Sequence, residues 1–228
     1  MTIAETVETA VACLRMGAGG LHAHLRDSEG HHWLDAGAYA ELIAEVARCA
    51  PDLPVQITTE AAGRYDPTSQ RALLEKIKPE GVSISLAEML ADGNRSAARR
   101  SYHALAEAGV AVQHILYDRD QLAQLAAEQA ARVLPAGPLQ LLFVLGRYTN
   151  GQQSDPSMLT PYLETLAALP ISAEWAVCAF GRAETTCLAE ALARGGSVRV
   201  GFENNTLMAD GSVAPDNAAR VAEIAALL

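Results

Sequence analysis

A regular alternation of short apolar stretches with longer segments of helical periodicity restricts the fold of this chain more than any other feature of its sequence. The apolar stretches predict seven strands, at 21–25, 54–60, 81–86, 110–118, 139–146, 173–181 and 197–204. Eight segments with helical spacing of apolar residues lie before, between and after these strands. Strands that alternate with helices are typical of βαβ units in a parallel sheet.

Two parallel architectures are compatible with this order of elements. The chain is one strand short of a (β/α)8 barrel and starts with a helix, so the sequence predicts an α/β fold of TIM-barrel type that lacks its first strand. This barrel, with seven parallel strands and eight helices, would form a single domain over residues 1–228. A doubly wound open sheet is the alternative, although no G-x-G-x-x-G follows the first strand to mark a dinucleotide site.

Composition argues against several classes of partner. A nucleic acid or an anionic membrane surface would require a basic patch, whereas the formal net charge is −10. No apolar run reaches the roughly 18 residues of a membrane span. The four cysteines have no zinc-ribbon or C-x-x-C spacing, which favours reduced thiols in a cytoplasmic protein.

Polar residues are concentrated at the predicted carboxyl ends of the strands, where parallel α/β folds bind their ligands. The amino ends of the same strands are mostly apolar. The asymmetry therefore predicts a working site at one end of the sheet. The residues concerned are His22, His24, Arg26, Thr58, Thr59, Glu60, Ser83, Ser85, Gln113, His114, Asp118, Arg182, Arg199, Glu203, Asn204 and Asn205.

Two of these residues, His22 and His24, form a H-x-H pair on the first strand. Alternation along a strand puts both imidazoles on one face, where they could chelate a single divalent ion or serve as two hydrogen-bonded core histidines. A catalytic zinc needs a third protein ligand, and Glu203 on the last strand offers one. Glu203 could equally form a structural ion pair with Arg199 on the same face. His31 and His32 follow a turn-like loop and are expected at the surface.

The segment "HAHLRD" (22–27) resembles the H-x-H-x-R-D signature of the β-keto acid cleavage enzymes. Four later segments resemble strand ends of that family in the same order. They are "FVLG" (143–146), "EWAVCAFGRA" (174–183), "GGSVRVGFENN" (195–205) and "DGSVAPDNAARV" (210–221). The likeness runs from about residue 4 to the C-terminus.

This resemblance implies a TIM barrel in a homo-oligomer, a divalent metal that is typically zinc, and two substrates, a β-keto acid and acetyl-CoA. The reaction would give acetoacetate and a new acyl-CoA. His22, His24 and Glu203 match the metal ligands of the family, and Arg199 matches its active-site arginine. Thr58 and either Ser83 or Ser85 fall where the family places groups around the substrate.

The chain also departs from the family pattern. Asn204 occupies the catalytic position at which the family has an aspartate that acts with the arginine as base, and Gln113 stands where an acid is expected. Glu60 and Asp118 are candidate replacement acids, although each could simply be a solvated loop residue or a helix cap. Two alternatives therefore remain open. One is a family member that binds metal and keto acid without this turnover, and the other is a metal-dependent aldolase or hydrolase.

Overall fold

Seven strands and nine α-helices follow one another in the computed structural model, which describes residues 1–228. The strands are parallel and occur in the sheet in chain order, from β1 to β7. The α/β fold of TIM-barrel type that lacks its first strand is thereby confirmed. The helix that was not predicted spans only four residues, Leu86–Met89, which is too short for helical periodicity to reveal it.

The chain divides into two compact units, the first of which contains residues 1–114 and 128–136. Elements β4 and α6 each have residues in both units. The elements of the first unit, with these two, are α1 (Ile3–Arg15), β1 (Leu21–Ala23), α2 (Ala36–Cys49), β2 (Val55–Thr58), α3 (Pro67–Lys76), β3 (Gly81–Ser85), α4 (Leu86–Met89), α5 (Arg95–Glu107), β4 (Ala111–Leu116) and α6 (Arg119–Ala130).

Local sequence signals determine where the helices of the first unit begin. The Thr2 hydroxyl accepts a hydrogen bond from the Glu5 amide, and the Glu5 carboxylate accepts one from the Thr2 amide, so the predicted capping box is present. Asp35 caps α2 in a similar way through the Ala38 amide. Behind these caps, α2 buries its apolar face, including the fully enclosed Tyr39.

The register of the first three strands aligns their polar side chains in rows. His22 is paired with Gln56, and Thr58 is paired with Ser83. Residues in register on parallel strands point to the same face of the sheet. His22 therefore shares a face with Gln56 and Thr58 of β2 and with Ser83 of β3. The alternate residue Ile57 points the other way and is fully buried.

The second unit contains residues 115–127 and 137–228. Its strands β5 (Leu139–Leu145) and β6 (Ala173–Ala179) pair in parallel over seven residues each, and Phe143 of β5 stacks on Tyr162 and Trp175. A buried cluster that includes Leu142, Val144 and Cys178 forms part of its core. The remaining elements are β5 (Leu139–Leu145), a 3-10 turn (Pro156–Leu159), α7 (Thr160–Ala168), β6 (Ala173–Ala179), α8 (Glu184–Ala193), β7 (Ser197–Val198) and α9 (Asn217–Ala225).

Two further expectations concern membranes and cysteines. Every helix is too short or too polar to cross a bilayer. No disulfide joins the four cysteines, of which Cys178 and Cys187 are buried and Cys49 is exposed.

Candidate metal centre

The two histidines of the H-x-H pair face each other. His22 lies in the middle of β1 and His24 follows its last residue, and their ring centroids are 4.9 Å apart in an edge-on arrangement. The two Nε2 atoms are separated by 2.9 Å. Both side chains are partly buried, so they are held in place while one side remains accessible.

Each ring has an oxygen acceptor near its other nitrogen. His22 Nδ1 lies 2.8 Å from Gln56 Oε1, and His24 Nδ1 lies 3.3 Å from a carboxylate oxygen of Glu60. Because both acceptors are oxygens, each ring donates from Nδ1, and in the neutral form of the ring its lone pair then lies on Nε2. Two such lone pairs would repel each other at 2.9 Å, whereas both can bind one cation at a zinc–nitrogen distance of about 2.0–2.1 Å.

The second unit contributes an arginine and a glutamate from one short segment. Arg199 follows the last residue of β7 and its amide donates to Val177 O at 2.8 Å, so it extends the pairing of β7 with β6 by one position. Arg199 Nη2 lies 3.3 Å from Glu203 Oε2 and 3.6 Å from Cys178 Sγ. Burial opposes the charge on Arg199, but Cys178 and Glu203 outweigh this effect and raise the pKa of the guanidinium.

The predicted strand 197–204 is wrong beyond its first residues, because β7 ends at Val198. The main-chain amide of Asn204 donates a hydrogen bond to Gly201 O at 2.9 Å, so the chain turns where alternation along a strand was expected. Arg199 and Glu203 are therefore neighbours across a turn, and strand alternation is not what brings them together. Both the ion pair that the sequence left open and a ligand role for Glu203 are compatible with this geometry.

Three buried donors of the segment 199–204 have no acceptor in the protein. They are Nε and Nη1 of Arg199 and Nδ2 of Asn204. A buried donor without an acceptor costs about 1–3 kcal/mol, so such groups in a folded protein call for an explanation, such as a ligand. As an amide, Asn204 donates hydrogen bonds here and is no substitute for an aspartate base.

Candidate metal ligands are present in both units, namely His22 and His24 in the first and Glu203 in the second. Two imidazoles and a carboxylate are a common protein ligand set for catalytic zinc, which keeps a further position open for water or substrate. The donor set and the tautomers of the two histidines therefore fit a divalent metal of the zinc type.

The predicted substrate-binding hydroxyls differ in their surroundings. Ser83 is fully buried, and its Oγ has no hydrogen-bond partner. Thr58 Oγ1 accepts a hydrogen bond from the Glu60 amide at 3.0 Å. Ser85 is the N-cap of α4, and its Oγ is 3.4 Å from the Glu88 amide. Of the three, Ser83 has the hydroxyl that a substrate oxygen could engage without replacing a contact within the protein.

The candidate replacement acids also lie in different environments. Asp118 accepts a hydrogen bond from the Gln121 amide at 2.8 Å and thus caps α6 on the exposed surface. Glu60 contacts His24, as described above, and is less exposed. Gln113 is linked to His22 through Gln56. Gln56 Nε2 donates to Gln113 Oε1 at 3.4 Å, and Gln56 Oε1 is the oxygen near His22 Nδ1.

Sequence reasoning missed the position of His32. This residue was expected at the surface together with His31, yet only 3% of it is exposed, whereas His31 is exposed. His32 Nε2 lies 2.9 Å from the main-chain oxygen of Glu60, and its ring centroid is 5.2 Å from that of His24. The loop that follows β1 returns toward the strand through a bridge between Arg26 and His32, a local pairing for which the sequence gives no periodic signal.

Comparisons with known proteins agree on one family. The sequence model described as beta-keto acid cleavage enzyme matches residues 1–228. A 3-oxoadipate:acetyl-CoA acetyltransferase from Cupriavidus necator is 27% identical over 238 aligned residues, which cover the whole chain and 80% of that protein. A 3-keto-5-aminohexanoate cleavage enzyme from Fusobacterium nucleatum is 24% identical, with 99% of this chain and 82% of that protein covered.

Solved structures with far less sequence similarity share the fold. A type I 3-dehydroquinate dehydratase from Clostridium difficile superposes with a TM-score of 0.67 at 9% identity, over 98% of this chain and 87% of that chain. A 3-hexulose-6-phosphate synthase gives a TM-score of 0.56 at 15% identity, over the whole chain and 95% of the other. At such identities the likeness concerns architecture alone.

Proposed function

Because the chain belongs to the beta-keto acid cleavage enzyme family, we propose that it transfers an acyl group between a β-keto acid and acetyl-CoA. In this reaction R–CO–CH2–COO⁻ and acetyl-CoA give acetoacetate and R–CO–CoA, so carbon–carbon cleavage in one substrate accompanies carbon–carbon formation in the product. The names of two relatives, an acetyltransferase and a cleavage enzyme, support an enzyme of acyltransferase type. The side chain R is the part of the substrate that differs between relatives.

The observation that carries this proposal is the H-x-H pair with its two Nε2 atoms 2.9 Å apart. We assign His22, His24 and Glu203 as ligands of a divalent metal, with zinc as the expected ion because imidazole and carboxylate are its usual ligands. A bound ion of this kind would supply Lewis-acid polarisation to the keto and carboxylate oxygens of the substrate.

Arg199 and Asn204 are suited to the charge that develops during cleavage. Both have buried N–H donors for which the protein offers no acceptor. Fixed donors in a water-poor site stabilise an oxyanion because they need no reorganisation when charge develops on it. We assign Arg199 as the principal donor and Asn204 as a second donor that orients the substrate. Ser83 is the third candidate, since its Oγ also has no partner.

One observation favours a second candidate function. With Asn204 in place of a carboxylate, the Arg199 segment lacks an acid that could act as base at this position. A protein that binds a metal and a keto acid without this turnover would be compatible with the same ligand set. The two functions differ in whether acetyl-CoA is consumed.

The proposed reaction is tested by a screen in which the protein is incubated with acetyl-CoA and different β-keto acids, and the release of acetoacetate is measured. Elemental analysis of the same sample is expected to give about one zinc per chain, and joint replacement of His22 and His24 by alanine is expected to abolish both metal and turnover. His31→Ala is the matched control, because His31 is an exposed histidine outside the ligand set. Metal-loaded protein that never releases acetoacetate with any keto acid would favour the binding function instead.

The proposal extends to oligomeric state and compartment. We infer a homo-oligomer, because the end strands β1 and β7 present unpaired sheet edges that association could cover. Sedimentation of the sample used for metal analysis should then give a species heavier than the 24.1 kDa chain. The absence of disulfides supports a reducing compartment such as the cytoplasm.

A further inference from the structure

Glu60 is a carboxylate of the first unit in contact with the H-x-H pair. Its Oε2 atom lies 3.3 Å from His24 Nδ1, on the side of the ring opposite to the Nε2 that faces His22. The two side chains are 23% and 14% exposed, so water competes only partly for this contact. His22 has a neutral counterpart in Gln56, whose Oε1 lies 2.8 Å from its Nδ1.

The backbone holds Glu60 in a fixed position. Its amide donates to Thr58 Oγ1 at 3.0 Å, and its carbonyl oxygen is 2.9 Å from His32 Nε2. The preceding residue Thr59 is tied to β3 by hydrogen bonds to Ser83 O, from its amide at 3.2 Å and from its hydroxyl at 3.3 Å. The carboxylate therefore projects from a segment in which the neighbouring peptide groups are already bonded.

We propose that Glu60 is a positioning residue for the metal centre, whose carboxylate accepts the Nδ1–H of His24 and aims Nε2 at the metal. This inference rests on the proposed function, in which His22 and His24 are metal ligands. Carboxylates and carbonyl oxygens behind metal-binding histidines select the tautomer, fix the plane of the ring and raise the basicity of the ligand nitrogen. The geometry gives His24 a charged acceptor and His22 a neutral one.

The contact also determines which role Glu60 plays in the reaction. The sequence made it a candidate for the missing base, which would require its carboxylate to reach the substrate directly. Instead, its oxygen is at His24 Nδ1, so Glu60 acts on the reaction through a ligand. Loss of the side chain should consequently change metal affinity itself, a property that can be measured without turnover.

Cobalt(II) titration of the metal-free protein tests this inference, because the visible absorption of bound cobalt reports both affinity and ligand geometry. For Glu60→Ala we expect cobalt binding to weaken by about 10- to 100-fold, the usual effect of removing an outer-shell partner. Glu60→Gln keeps an acceptor oxygen but loses the charge, and neutral hydrogen bonds are about half as strong as charge-assisted ones. We therefore expect a smaller weakening, of about 3- to 10-fold, with a shifted cobalt spectrum.

Glu29→Gln is the matched control. Glu29 is highly exposed and pairs with His31, so the same exchange of carboxylate for amide leaves the H-x-H pair untouched and should leave cobalt affinity unchanged. Unfolding midpoints measured on each variant separate metal affinity from stability, and Glu60→Gln serves if Glu60→Ala does not fold.

The possible failures have different meanings. Wild-type protein that binds no cobalt would overturn the metal centre and this inference together. If the wild-type protein binds cobalt and Glu60→Ala or Glu60→Gln has the same affinity and spectrum, the role of Glu60 is overturned, while the metal centre is retained.

Discussion

Arg199 shows how a single side chain can be both paired and incompletely satisfied. Nη2 contacts Glu203 and Cys178, while Nε and Nη1 are buried without an acceptor. The planar guanidinium has five donors in a fixed fork, so pairing at one nitrogen still leaves others oriented for an anion. A purely structural ion pair would not need the remaining donors to be kept away from water.

Arg199→Lys tests this interpretation. Lysine keeps the positive charge but loses the fork, and removal of one preorganised donor to an oxyanion typically lowers kcat by about 100- to 1000-fold. We expect a loss of this size in acetoacetate release, with metal content preserved because the ligand set is intact. Arg194→Lys, in which the arginine pairs with Glu190 on α8, provides the control and should retain full turnover. An unchanged kcat in Arg199→Lys would contradict the oxyanion role.

Candidate ligands were predictable from residue type and spacing, but their surroundings were not. His22 and His24 could be identified because a strand repeats every two residues. The burial of His32 and the contact of Glu60 with His24 both depend on how the loop after β1 folds back, which a hydrogen bond from the Trp33 amide to Leu25 O also stabilises. Such non-periodic closures leave no regular pattern in a sequence.

At the level of elements, the strand ends were harder to predict than the strands. Apolar residues continue past Val198, yet β7 stops there. The Phe202 amide donates to Asn217 Oδ1 at 2.8 Å, and the Gly181 amide donates to Asn204 O at 3.1 Å. These contacts from residues distant in sequence hold 201–204 in a turn, which propensity and alternation cannot anticipate. Helices were easier to predict, because caps such as Thr2 and Asp35 are local.

The loop between β5 and the 3-10 turn allows a controlled test of close packing. Gly146 has a φ of +81°, and a Cβ at this position would lie 2.7 Å from Gln153 C and Ser154 N, both backbone atoms. Gly151 in the same loop has a similar φ of +68°, but a Cβ at that position would have no other heavy atom within 4 Å. The two glycines thus share the conformation and differ in the available space.

We expect Gly151→Ala to cost about 1–2 kcal/mol, the ordinary penalty of an alanine in the left-handed region. Gly146→Ala should cost more, because the new methyl group also displaces the backbone that joins this loop to Phe180 O through the Ser154 amide. Urea unfolding of the two variants provides the comparison. Equal losses of unfolding free energy would show that the loop moves aside without cost and that the close approach has no energetic weight.

For the whole molecule, the sequence was most informative about architecture. Repetition of strand and helix is a local signal that recurs seven times, so errors at single boundaries do not alter the predicted parallel order. The four-residue helix α4 was missed because it is too short to show a period. The candidate site was predicted from the rule that parallel folds place ligands at strand carboxyl ends. What depends on individual side chains, such as the acceptors behind each histidine, required coordinates.

Acid stability is a property of the whole molecule that one core residue should control. His114 is buried beside Tyr102, with ring centroids 5.5 Å apart, and burial lowers the pKa of His114 to about 4. In the unfolded chain a histidine takes up its proton near pH 6.5. The unfolded state therefore binds more protons than the folded state between these values, so stability is fully present above about pH 6.5 and falls as the pH drops toward 4.

The difference between the two pKa values corresponds to about 3 kcal/mol across this window. We expect His114→Leu to remove this part of the pH dependence, because leucine has no proton to take up and retains most of the buried volume. Urea unfolding at several pH values between 4 and 7 gives the slope of the unfolding free energy against pH. This slope should be shallower in the variant than in the wild-type protein. Parallel slopes would mean that His114 is protonated in the folded core, or that the folded state opens at this position before the proton is taken up. Either result would remove His114 as the cause of acid sensitivity and assign it to the carboxylates.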